Sequence, residues 1–160
     1  MALKCHMTIE GSVSGEIKGT SDKKDREESH EIWSVNHDVT MPYNQQTGEP
    51  VGHVQHHALT VLKKVDEASP VLYGALVNNE SLTVELMWYR PLKGKAEAEH
   101  FFTTKLENAL LVSISPYMPD MSGGAGNAAE PMEQLSFVYN KITWTEQTNG
   151  TETIDEWTGH

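Results

Sequence analysis

The chain has 160 residues, 22% charged and 38% apolar, with a net charge of −11 and one cysteine. That balance describes a folded globular protein, read as a single domain over 1–160; it excludes low-complexity disorder and an internal disulfide. No apolar run approaches the roughly 18 residues of a membrane helix, so membrane insertion is not expected.

The acid excess is uneven, since residues 97–160 hold 10 acids and 2 bases. Nucleic-acid binding is therefore not expected, because a phosphate backbone requires clustered Lys and Arg. The first residues, MALKCHMTIEG, contain no apolar h-region. Sec-type export is not expected, and the lone Cys5 suits folding in the cytoplasm.

Residues 2–10 alternate, with Leu3, Cys5, Met7 and Ile9 on one side, which predicts a half-buried strand closed by Gly11 and Gly15. Lys18 to Glu28 holds 4 bases and 4 acids and reads as a solvated loop. Alternation resumes over 31–41 through Trp33, Val35 and Val39, and Pro42 ends it. Tyr43 to Gly52 is polar and turn-rich, an extended loop. A third strand over 57–65 leads into the one convincing helix, about 68–78. There Ser69 is the expected N-cap and Pro70 the first helical residue, with Asp66 and Glu67 beside the positive end of the helix dipole. Leu72, Ala75 and Leu76 form its apolar stripe, and Asn78-Asn79 its stop.

Ser81 to Tyr89 follows as a strand with Val84, Leu86 and Trp88 inward. Phe101 to Ser115 is unusually long, so a bend or bulge is expected near Glu107-Asn108, with Phe102, Leu106, Leu110, Val112 and Ile114 sharing a face. Met118 to Pro131, centred on Ser122–Glu130, reads as a flexible Gly/Ala-rich loop. Leu135, Phe137 and Tyr139 are in odd phase but Ile142 and Trp144 in even phase, which predicts a bulge at Asn140-Lys141. Thr151 to Trp157 is an expected last edge strand. The class is mainly β, a β-barrel or curved two-sheet sandwich with one short helix and long loops.

Chemistry is sparse. His53-x-x-His56-His57 is the best local metal pattern, yet on a strand His56 and His57 face opposite ways and no acid or Cys lies near to complete a tetrahedron. His30, His37 and His100 read as surface or rim histidines. No nucleophile elbow, P-loop or dinucleotide fingerprint is present. Cys5 lies on an apolar strand face and reads as buried. The four tryptophans read as packing rather than as a ligand pocket. No catalytic residue, cofactor or metal ligand is assigned.

Several motifs run in order along the chain: Ile9-Glu10-Gly11 with Gly15; Gly48-x-Pro50-x-Gly52 and His56; Ser69-Pro70-x-Leu72 with Ala75-Leu76; and Trp88-Tyr89-Arg90. FFTTKLENA over 101–109, Phe137-x-Tyr139-x-Lys141-Ile142-Thr143-Trp144 and Asp155-x-Trp157 complete the set. On these the chain resembles the Hcp (haemolysin-coregulated protein) family of type VI secretion. The resemblance implies a β-barrel of two sheets with a helix, related to phage tail-tube proteins. It further implies homo-hexameric rings stacked into the inner tube of a contractile injector, driven out by sheath proteins behind a VgrG-type spike. Small effectors would travel in the lumen, and the subunit would be cytoplasmic before assembly and extracellular after it.

The chain stops soon after Trp157, so no fused toxin domain is expected. Ring or stacking contacts are expected on the two long loops, with Tyr43, Asn44, Gln45, Gln46, Thr47, Gly48 and Glu49 in one and Lys23, Lys24 and Arg26 in the other. The rival readings are a small-molecule-binding β-barrel lined by the tryptophans and an autonomous secreted effector.

Overall fold

The computed structural model describes residues 5–122 and 130–157. Thus Leu3, and all of the Ser122–Glu130 loop except its two ends, lie outside the described residues. Twelve strands and one helix follow one another: β1 (Cys5–Gly11), β2 (Gly15–Ile17), β3 (His30–Ile32), β4 (Ser34–Asn36), β5 (Val39–Thr40), β6 (Gln55–His56), β7 (Leu59–Lys64), α1 (Ser69–Val77), β8 (Leu82–Pro91), β9 (Ala98–Tyr117), β10 (Met132–Val138), β11 (Lys141–Glu146) and β12 (Glu152–Glu156).

Two layers share the long strand β9. Its first half pairs with β8 and β11, giving one layer ordered from β2 and β3 through β1, β8, β9 and β11 to β12. Its second half pairs with β10, which continues through β7 to β4. Among the described residues the sheets do not close into a barrel, so the curved sandwich is the form found. Between the layers lie Met7, Ile9, Leu59, Val61, Val84, Leu86, Leu106, Leu135, Phe137 and Ile142, with Leu72 and Ala75 of α1 packed on the same core. Cys5 is buried among them, and burial pushes its thiol pKa up to about 12. Such a thiol is inert rather than nucleophilic.

The inner phase of β9 changes twice. Thr104 and Leu106 point inward, then Ala109 and Leu111. The first change falls at Asn108, which adopts φ +49, and the pairing with β8 slips there from Val84↔Leu106 to Leu82↔Ala109. The expected bulge is present, but it turns Leu110 and Val112 away from the inward face assigned to them, and Val112 is exposed. A second slip, between Ser136↔Ser113 and Phe137↔Leu111, returns Ile114 to the core side.

Other expectations need correction. The 31–41 strand breaks into β3, β4 and β5, because the chain leaves one layer at Trp33 and joins the other. Trp33 is 48% exposed, its ring under the Lys64 ammonium at 5.2 Å. The phase change at Asn140-Lys141 is a break between two strands, not a bulge within one. β10 and β11 lie end to end along β9, and the Asn140 amide donates to the Glu107 carbonyl at 3.2 Å opposite Asn108.

The helix cap is also displaced. Ala68 holds the N-cap position with no side-chain cap bond. Ser69 is instead buried in the first turn, donating to Glu133 Oε1 at 2.9 Å and accepting from the Asp66 amide at 3.0 Å. Asp66 Oδ1 accepts from the Ala68 amide at 3.0 Å, one residue ahead of the helix. The stop is as expected: Asn79, at φ +50, follows α1, and the Asn78 and Glu80 amides donate back to Gly74 and Ala75.

His30 is a core residue, not a surface one. Its Nε2–H donates to the Ile17 carbonyl at 2.9 Å, and burial lowers its pKa. Past the helix, Glu80 accepts from the Val13 and Ser14 amides and the Ser14 hydroxyl, pinning the β1–β2 turn to the helix end. Gly11 makes this possible, since a Cβ there would stand 2.7 Å from Glu80 Oε1.

Candidate assembly surface

Among the described residues strands β5 and β6 pair only with each other, and the segment between them stands out as an arm. Its ladder runs from Val39↔His56 through the Val51 amide donating to Pro42 O at 2.8 Å to the Tyr43↔Pro50 bridge. At the tip Asn44 Oδ1 accepts from the Gln46 amide at 2.8 Å, and the Gly48 amide donates to Asn44 O at 2.8 Å. Gly48 takes φ +74, a conformation a side chain would strain, so glycine suits this turn. Gln45, Gln46, Thr47 and Glu49 are exposed, and Tyr43 is 63% exposed. The expected open loop is thus an ordered two-stranded arm.

What holds the arm is a buried relay at its root. The Tyr139 hydroxyl lies 2.9 Å from His37 Nε2 and 2.7 Å from His56 Nδ1, and His56 Nε2 lies 2.7 Å from Asp155 Oδ2. A carboxylate only accepts, so the His56 proton sits on Nε2. Its Nδ1 then accepts from the tyrosine O–H, whose oxygen accepts from His37 Nε2–H. In this arrangement each of the three hydrogen bonds has one donor and one acceptor. Trp157 stacks on His56, with centroids 5.6 Å apart, and meets Tyr139 edge-on at 4.9 Å. Both legs of the arm, through His37 and His56, are therefore fastened to the strand break at Tyr139 and to β12.

Asp–His–Tyr is also the order of a catalytic relay, but the physics here is the reverse. Burial and the Asp155 charge raise the Tyr139 pKa, which makes the phenolate less accessible. An activated nucleophile needs the opposite shift. The relay is an anchor.

A second buried polar group braces the helix. Lys63 and Glu133, directly opposite in the β7–β10 register, are both about 1% exposed, with Nζ 2.6 Å from Oε1. Lys63 also reaches Asp66 at 3.1 Å and donates to the Lys64 carbonyl. These charges tie the start of α1 to the sheet.

The other candidates lie apart. Lys23 and Lys24 are exposed, while the Arg26 guanidinium lies over the Tyr89 ring at 4.1 Å. They rim a cavity of about 490 Å³ with Ala96, Glu97 and Ala98 of the β8–β9 turn. Among the described residues no hydrogen bond or ion pair joins this group to the arm. The tryptophans do not converge either. Trp88 and Trp144 share a cavity of about 390 Å³ with Phe102, Leu59 and His37, but Trp33 and Trp157 are elsewhere. Of the His53, His56 and His57 pattern, His56 is buried in the relay, and His57 lies on the exposed side near Thr40 Oγ1 at 3.3 Å.

Sequence reasoning missed the relay and the ion cluster. A signal for the latter exists: Leu59, Val61 and Lys63 share one strand phase, as do Glu133, Leu135 and Phe137. Each inward row thus ends in an opposite charge.

The fold is a curved β sandwich with a brace helix and an anchored arm, whose buried polar groups join elements of the same chain. The family model described as "Type VI secretion system effector, Hcp" matches residues 6–145. The "Major exported protein" of Pseudomonas aeruginosa is 35% identical over 98% of this chain and 96% of its own length. Among solved structures, an Hcp protein crystal structure is 32% identical with TM-score 0.88, covering 98% of this chain and 99% of that one. Hcp1 of Escherichia coli EAEC 042 is 30% identical with TM-score 0.85 over 98% and 99%. Secreted protein Hcp3 of P. aeruginosa is 30% identical with TM-score 0.79 over 99% and 100%. The chain belongs to the Hcp family of the type VI secretion system. It is an exported structural subunit of the secretion tube, which works as an oligomer and not as an enzyme.

Proposed function

We propose that the whole chain, residues 1–160, acts as one unit that forms hexameric rings. These rings stack into a tube behind a VgrG-type spike, and contraction of sheath proteins drives the tube out. The subunit folds in the cytoplasm before assembly, and the ring lumen carries small effectors. The observation that supports this most is the arm, a projecting element that among the described residues pairs with no strand of its own sandwich, yet is fastened at its root by the hydrogen-bonded relay through Tyr139. Ordering an exposed arm costs conformational entropy, of about 1–2 kcal/mol per residue, and contacts in an assembly offset that cost. Tyr43, Asn44, Gln45, Gln46, Thr47, Gly48 and Glu49 of the arm are the first contact set in this reading. Lys23, Lys24 and Arg26 are the second.

Native mass spectrometry with negative-stain electron microscopy tests the reading. The expected species is a ring of six copies, dissociating as salt rises because acid-rich copies rely on local charge pairing. A strictly monomeric protein at high concentration contradicts it.

A further inference from the structure

The relay at the root of the arm gives its protons a direction, and burial decides where a further proton can enter. The His56 side chain is wholly buried, with Nδ1 2.7 Å from the Tyr139 hydroxyl and Nε2 2.7 Å from Asp155 Oδ2. Nε2 already carries the proton that Asp155 accepts, so a second proton has only Nδ1 to join, and Nδ1 faces Tyr139. His37, at the other end, is partly exposed and lines the cavity shared by Trp88 and Trp144. Its Nε2 meets Tyr139 at 2.9 Å, which leaves Nδ1 as the ring nitrogen outside the relay. Between the two rings stands a hydroxyl, which donates and accepts through the same atom.

The same three distances serve either sense of the chain. When His37 Nδ1 takes a proton, His37 Nε2 can give its own to the tyrosine oxygen, and the tyrosine can give its proton to His56 Nδ1. His37 and Tyr139 end neutral, and His56 ends as an imidazolium against the Asp155 carboxylate. No hydrogen bond is lost, since Tyr139 now accepts from His56 Nδ1–H and donates to His37 Nε2. Facing His37 are Tyr139, His56, His57 and Asp38; burial first, then His56 and His57, lower its pKa against an opposing effect of Asp38. It is therefore a poor place for the charge to rest. Facing His56 are Tyr139, His37 and Asp155, the last a counter-charge in hydrogen-bond contact, while Trp157 covers its ring. Burial and the Asp155 charge keep Tyr139 protonated throughout.

We infer that the relay is a proton wire: His37 takes a proton from solvent, and Tyr139 hands the charge on to His56, where Asp155 holds it. The arm keeps all three of its root bonds in both states. The consequence is an anchor that does not let go when the medium turns acidic, which suits a subunit exported into surroundings its own cell does not buffer. The wire belongs to the single chain, so it stands whether or not the arm makes ring contacts.

Solid-state nitrogen NMR of the full chain, isotope-labelled on histidine and sedimented in steps from pH 8 to pH 5, tests it. Protonated and bare ring nitrogens differ widely in shift, and an unperturbed histidine titrates at about 6.5, inside that range. At pH 8 His37 should carry its proton on Nε2. As His56 becomes doubly protonated, His37 should change to the Nδ1–H form while staying neutral. Hydrogen-exchange protection of the arm amides, Val39 to His56, corrected for the intrinsic pH dependence, should change by less than about threefold across that step. Asp155→Asn keeps an acceptor but removes the counter-charge, and should move the step down by about one pH unit or more. His37 becoming the charged ring, or holding Nε2–H while His56 charges, overturns the inference. So does a His56 that stays neutral down to pH 5 in the unaltered chain, or a step that Asp155→Asn leaves in place. Loss of arm protection by about tenfold, with that of α1 retained, overturns the claim that the anchor holds in both states.

Discussion

The two buried polar groups of this subunit solve different problems. Lys63, Glu133, Asp66 and Ser69 form a charged cluster inside one layer, where the helix starts. His37, Tyr139, His56 and Asp155 form a chain of hydrogen bonds at the border between sandwich and arm. The first joins elements already packed on a common core, so its loss is a loss of stability. The second joins the core to an element with few apolar contacts of its own, so its loss is chiefly a loss of arm position. Charge suits the fixed brace, and a directional chain of donors and acceptors suits the orientation of a projecting part.

Breaking the brace should have the largest effect. Glu133→Ala leaves the Lys63 ammonium buried, with only the partly exposed Asp66 as counter-ion, and should cost about 3–5 kcal/mol in urea unfolding. Replacing the pair together, Lys63→Met with Glu133→Leu, should recover most of that loss, because two apolar groups need no counter-charge. A double variant as unstable as Glu133→Ala would show that the charges themselves are needed.

Next comes Tyr139→Phe, which removes one oxygen and orphans both His37 Nε2 and His56 Nδ1. It should cost about 1–3 kcal/mol. It should also raise amide exchange in the arm from Val39 to His56 far more than in α1. Uniform loss of protection across the chain would place the relay with the brace instead.

The pH response should be smaller. Burial lowers the pKa of His30 and of His37, so the unfolded chain binds more protons than the native one once pH falls below about 6.5. Their contribution is fully present above that value and declines as pH falls through the lowered native pKa. Unfolding free energy should therefore slope downward from pH 6.5 to 5. His30→Gln should flatten that slope whatever it does to stability at pH 8. An unchanged slope would remove His30 from the account.

Smallest of all for stability are Lys23→Glu and Lys24→Glu. Exposed and without an ion-pair partner, they should move unfolding by no more than about 0.5 kcal/mol. Their effect belongs to assembly.

Much of this design is written in local pattern. Alternation located the long strands, Ser69-Pro70 and Asn78-Asn79 bounded the helix, and an over-long apolar run pointed to the bulge that Asn108 makes. The motif residues led to the family. What was not legible depends on partners far apart in the chain. Trp33 has the alternation of a buried residue, but the chain changes layers there. Ser69 has the chemistry of a cap, but Glu133, brought in by β10, takes its hydroxyl. The relay joins residues numbered 37, 56, 139 and 155, and only the end-to-end placement of β10 and β11 brings Tyr139 between the two histidines. His56, Tyr139 and Asp155 were visible as family markers, yet their sequence spacing carries no hint that they touch.

On this reading the anchored arm serves assembly rather than the subunit's own fold. Replacing the arm tip, residues 44–49, by a two-residue turn and weighing the product by native mass spectrometry beside the unaltered chain tests it most directly. A folded monomer of near-normal stability is expected where the unaltered chain gives rings. Rings of normal mass and yield from the shortened chain would contradict it.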